Sequence, residues 1–109
     1  MQIPKRFRLL GQVVEVRFDE RLIYTHDNRG EVRIRENVIV LQSDGPQYPI
    51  LESQSEQTFL HELVHVILDR MGETELSANE KFVDMFAGML HQALITSEYE
   101  DQPKGKKPR

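Results

Sequence analysis

Apolar and polar residues alternate along the first third of the chain and recur at helical spacing along the rest. Over residues 12–19, Val14, Val16 and Phe18 alternate with Glu15, Arg17 and Asp19, the period of two expected of a half-buried strand. Residues 31–35 repeat the pattern with Val32 and Ile34 between Glu31, Arg33 and Arg35. Residues 38–41 are apolar and largely β-branched with no alternation, a third strand. Glu36-Asn37 between the last two runs reads as a tight hairpin turn, because Asn tolerates φ > 0. Residues 26–30 and 42–49, rich in Asp, Asn, Gly and Pro, read as loops.

The second half reads as two helices. The first is expected to start near Ser53–Ser55, where Ser53 and Glu56 have capping-box spacing, and to end at Met71 with Gly72 closing it. Phe59, Leu60, Leu63, Val64, Ile67, Leu68 and Met71 form its apolar stripe. The second is expected to open at Ser77–Asn79 and reach about Tyr99, with Phe82, Val83, Phe86, Leu90 and Leu94 toward the core. Strands first and helices after them predict an α+β domain: a small, mostly antiparallel three-stranded sheet followed by two packed helices.

At 109 residues, 39% hydrophobic and 29% charged, the chain has the make-up of one globular domain, expected over residues 1–102. It has no cysteine, which excludes disulfides, thiolate metal sites, iron–sulfur clusters and a cysteine nucleophile. A metal held by nitrogen and oxygen ligands is the remaining staple. Charge is unevenly spread: +3 over residues 1–35, −11 over 36–102 and +4 over 103–109. So acidic a body argues against nucleic acid as a partner. Residues 103–109 read as a basic arm, either free in solvent or folded back on that body. No apolar run approaches membrane-spanning length and the N-terminus lacks the apolar stretch of a secretory signal, so a soluble, cytoplasmic protein without membrane contact is expected.

The chemistry concentrates in Phe59-Leu60-His61-Glu62-Leu63-Val64-His65, an H-E-x-x-H sequence on a segment that reads as helix on independent grounds. Residues four apart share a helix face, so His61 and His65 can aim two imidazoles at one ion. Glu62 is turned aside from that line and suits a proton-accepting base better than a ligand. The bare alternative is two solvent-facing histidines on an amphipathic helix. A catalytic zinc usually takes three protein ligands. Asp69 continues the histidine line, but eight residues of helix place it about 12 Å from His61. Glu73 and Glu75 fall in the connecting turn and are expected to face solvent. Glu80 opens the second helix, and reaching the middle of the first would need a crossing angle or a longer approach through residues 73–78.

H-E-x-x-H followed by Asn79-Glu80-x-x-x-Asp84 on the next helix resembles the gluzincin zinc metallopeptidases, the thermolysin-like group. The resemblance implies zinc on His61, His65 and Glu80, with Glu62 as general base and Asp84 hydrogen-bonded to His61 from behind. Spacing is compatible: Glu80 and Asp84 are four apart, and Ala87 and Gly88 would let the helices come close. The 14 residues between His65 and Glu80, and the short chain, are more similar to minimal single-domain gluzincins and to the ImmA/IrrE-like peptidases of prophages and mobile elements. The similarity spans residues 59–94 and the strand-then-helix order. It implies a zinc-dependent peptidase acting on protein or peptide, with residues 38–41 as the sheet edge that pairs with extended substrate. The other class left open is a non-catalytic binding or regulatory protein stabilised by zinc, as suits a short chain without disulfides. A regulatory peptidase that stays latent until activated also fits.

Smaller expectations attach to other residues. His91 reads as a capping or surface histidine and His26 as a solvated one. Tyr48 and Tyr99 read as partly buried packing residues, and no residue announces itself as the oxyanion donor.

Overall fold

The structure is a computed structural model that describes residues 1–101; the basic arm over 103–109 lies outside the described residues. Its class is α+β, as the pattern predicts, but the sheet has four strands: β1 (Arg6–Leu9), β2 (Gln12–Asp19), β3 (Gly30–Arg33) and β4 (Val38–Gln42). Strand β1 is an addition to the three expected. It forms a hairpin with β2 in which Phe7 sits opposite Val14, and the two connecting residues, Leu10 and Gly11, have φ of 51° and 78°. Positive φ at both positions matches the right-handed twist of a two-residue hairpin. Leucine there gives no turn signal, which is why the pattern passed over this hairpin.

The strand order is β1-β2-β4-β3, with antiparallel pairs at both ends and β2 parallel to β4 in the middle. The sheet is therefore mixed. A short helix α1 (Leu22–Thr25) lies between β2 and β3. Residues 38–41 are not a sheet edge: they run through its interior, each at most 2% exposed. The absence of alternation there reports burial on both faces. Ile39 and Leu41 join the main core, while Val38 and Val40 pack with Leu22 of α1. The buried Gln42 amide fastens α1 to the sheet, its Oε1 accepting from Ile23 N–H and its Nε2 donating to the Glu20 carbonyl, both at 2.7 Å. β3 ends at Arg33, and a 3-10 turn over Ile34–Glu36 replaces the tight hairpin; Asn37 does take the left-handed conformation, at φ 53°.

Helix α2 (Glu52–Arg70) packs between the sheet and helix α4 (Glu80–Thr96). It starts slightly before the expected cap, at Leu51, whose N–H donates to the Gln54 side-chain oxygen at 3.0 Å. Glu56, expected in that cap, is buried elsewhere. Gly72, at φ 77°, closes α2, and Glu73 N–H reaches back to the Leu68 carbonyl at 2.9 Å, the helix-ending bond that a left-handed residue permits. A further short helix, α3 (Thr74–Ala78), fills the link to α4. Asn79 caps α4 through Oδ1, which accepts from Phe82 N–H at 3.1 Å.

Helix α4 ends at Thr96, short of Tyr99, and touches the body on one side only. Val83 and Ala87 are buried, Phe82 and Leu90 half-buried, and Phe86 and Leu94 exposed rather than in the core. The apolar stripe is wider than the contact α2 offers. Tyr99 is likewise exposed, while Tyr48 is half-buried, its hydroxyl accepting from Arg29. His91 is not a surface residue: it is 4% exposed and its Nε2 bonds Glu56 Oε1 at 2.8 Å, tying α4 to α2. That bond holds the Glu56 carboxyl below its ordinary range despite burial. No helix among the described residues is long and apolar enough to cross a membrane.

Candidate metal centre

The middle of α2 and the first turn of α4 meet in a cleft of about 680 Å³, roofed on one side by β3. Helix α3 provides the approach that brings them together. Instead of looping, residues 74–78 coil once, and α4 begins beside the His61–His65 face rather than at the far end of α2. The structure thus joins His61, His65 and Glu80 into a group whose possible ligand atoms all lie within 4.8 Å of one another.

The spacing inside this group is informative. His61 Nε2 and His65 Nε2 are 3.2 Å apart, and each is 3.3 Å from an oxygen of Glu80. A tetrahedral ion with ligands at about 2.0–2.1 Å holds its ligand atoms about 3.3–3.4 Å apart. Three atoms at the corners of such a triangle fit one face of that tetrahedron and leave its fourth corner without a protein ligand. These three side chains could hold a metal ion.

Each imidazole is fixed from behind. His61 Nδ1 donates to Asp84 Oδ1 at 2.7 Å, and His65 Nδ1 lies 3.0 Å from Ser77 Oγ. With the Nδ1 atoms occupied, both Nε2 atoms face the shared point, which is how ligating histidines are oriented in metal sites. The Ser77 contact is one that sequence reasoning missed. Ser77 reads as a helix cap, but it sits inside α3, buried, with its hydroxyl spent on His65. Only the coiling of residues 74–78 brings it there.

Glu62 lines the same cleft without joining the triad, and its side chain is 9% exposed. Burial pushes its carboxyl up from 4.5 to about 7; the carboxylates of Glu80 and Glu31 push the same way and His61 opposes them. Asp69 is in the cleft wall but outside the triad, as its distance along α2 requires. Glu73 and Glu75 are exposed. His26 is exposed in its loop and bonds Glu31 at 2.8 Å, away from the triad.

The edge strand of this cleft is β3, which also supplies residues the sequence did not single out. The Arg29 carbonyl accepts from Gln42 N–H, so 29 and 42 form a bonded pair; with the β3–β4 register, Glu31 and Arg33 continue that set. Antiparallel ladders alternate, so Gly30 and Val32 turn their N–H and C=O groups outward along the open side of the sheet. Both line the cleft, with Asn28, Gln57 and Thr58. A Cβ on Gly30 would stand 2.5 Å from Thr58 Cγ2 and 3.3 Å from Glu62 Cγ. The glycine lets the edge strand approach α2 directly over Glu62, and a glycine inside a strand pattern is the signal that could have marked it.

No family model, curated protein or solved structure matches the chain.

Proposed function

We propose that the protein is a zinc-dependent peptidase, the activity the gluzincin resemblance implies. The observation that supports it most is the near-equilateral triangle of His61, His65 and Glu80, with Glu62 buried in the same cleft and outside the triangle. Structural zinc sites usually close with four protein ligands, whereas catalytic ones hold three and leave a position open. The ion bound here would act as a Lewis acid and make water more acidic.

The chain's own residues do the rest. Glu62, whose carboxyl burial raises to about 7, accepts a proton from the attacking water and passes it to the leaving nitrogen. Asp84 and Ser77 keep the two imidazoles aimed and their tautomers fixed. The outward N–H and C=O groups of Gly30 and Val32 pair with an extended peptide, laying it over Glu62. β3 thus takes the substrate-pairing role first assigned to residues 38–41.

The test is digestion of a complex peptide library by zinc-loaded and by chelator-treated protein, read by mass spectrometry. New peptide termini are expected with zinc alone, and none with zinc-loaded Glu62→Gln. Zinc-loaded protein that binds peptides and generates no termini would overturn the peptidase reading in favour of a zinc-stabilised binding protein.

A further inference from the structure

One acid in the cleft wall has no part in the proposed chemistry. Asp69 lies one turn past His65 on α2, half-buried, and its carboxylate makes no hydrogen bond or ion pair among the described residues. Its neighbour Arg70 is turned away, donating to Gln12 Oε1 at 2.7 Å and Asn37 Oδ1 at 2.6 Å. No Lys or Arg lines the cleft; its other carboxylates are Glu62, Glu80 and Asp84. Glu80 is the third member of the metal-holding triad and Asp84 is bound to His61. Asp69 alone is left partly withdrawn from water with no cation beside it, a cost relieved by a cation brought in from outside.

We infer that Asp69 selects substrates by pairing with a lysine or arginine side chain near the cleaved bond. The inference rests on the peptidase reading of the same cleft. Helix geometry sets Asp69 about 6 Å along α2 from His65. An extended peptide advances about 3.3 Å per residue, so the basic residue stands two or three positions from the cleaved bond. A place for its methylene stem adjoins the carboxylate. A small hollow of about 30 Å³ between β3 and α2 is walled by Val14, Val32, Val38 and Val66, and it shares Val32 and Asp69 with the cleft. Apolar walls with one carboxylate at the rim suit a long side chain that buries its stem and keeps its charge at the mouth.

The experiment uses the zinc-loaded Glu62→Gln protein as a trap and measures fluorescence anisotropy. The probes are matched labelled decapeptides carrying Lys, Ala or Glu at one scanned position. At one such position Lys is expected to bind about fivefold more tightly than Ala, and Glu more weakly than Ala. Adding Asp69→Asn should level the three, Asp69→Lys should favour Glu, and 1 M salt should erase the preference, since the Debye length is then about 3 Å. The inversion matters most, because a merely structural role for Asp69 would not produce it. Equal binding of the three sets, or a Lys preference untouched by Asp69→Asn, would overturn the inference. Glu62-intact protein separates the two claims: cleavage without charge preference sinks this inference alone. Charge-selective binding without cleavage sinks the peptidase reading and leaves the Asp69 pairing standing as a binding preference. No binding at all sinks both.

Discussion

Replacing Glu62 with Gln should stabilise the metal-free protein at alkaline pH and leave it unchanged in acid. The carboxyl is buried beneath Gly30, with Glu80 and Glu31 as further negative neighbours, and rises from the ordinary 4.5 to about 7. A raised carboxyl pKa means that the folded state holds the proton more tightly than the unfolded chain does. Stability from this group is therefore fully present below about pH 4.5 and is lost as pH climbs through 7. Each pKa step of one is worth about 1.4 kcal/mol, so the loss approaches about 3 kcal/mol. Glutamine keeps the shape and cannot ionise. The assay is urea unfolding in excess chelator at pH 4 and pH 8 for both proteins, with the difference between them taken at each pH so that all other titrations cancel. With a slope of about 1–3 kcal/mol per molar urea, the Gln midpoint should lie roughly 1–3 M higher at pH 8 and coincide with wild type at pH 4. Saturating zinc should shrink the gap, because a nearby cation favours the carboxylate. Equal midpoints at pH 8 would refute the reasoning and place Glu62 in contact with water.

Other outcomes follow from the same geometry. In zinc titrations, His61→Ala and His65→Ala should abolish binding and Glu80→Gln should weaken it strongly; Asp84→Asn and Ser77→Ala should each cost about 10–100-fold through loosened imidazoles. Gly30→Ala should lower the melting temperature and any peptidase activity together, because its Cβ meets Thr58 Cγ2 at 2.5 Å, and Thr58→Ser should restore part of both. Glu56→Gln should destabilise by about 2 kcal/mol in urea, since it weakens a buried bond from His91 to a charged acceptor that ties α2 to α4.

The sequence makes the helices and the ligand set legible because both are local. Four-residue spacing on one helix aligns His61 with His65, and Asn79 announces the helix that Glu80 opens. What escaped it depends on distant partners. Strand β1 hangs on a two-residue turn with leucine in a left-handed conformation, a choice set by the twist of the hairpin and not by residue preference. The unalternated run at 38–41 says that both faces are covered without saying by what; α1 and α2 are the answer, and they move the edge to β3. Ser77 and His91 look like caps or surface residues until α3 coils and α4 lies against α2. The wide apolar stripe of α4 overstated its burial because it has one neighbouring layer.

The most direct test of the central claim is a crystal structure of the zinc-loaded protein with anomalous scattering recorded at the zinc edge. The account predicts one ion per chain at about 2.0–2.1 Å from His61 Nε2, His65 Nε2 and an oxygen of Glu80, with Glu62 outside its coordination and no fourth protein ligand. An ion closed by four protein ligands, Glu62 among them, or an ion bound away from this triad, would contradict it.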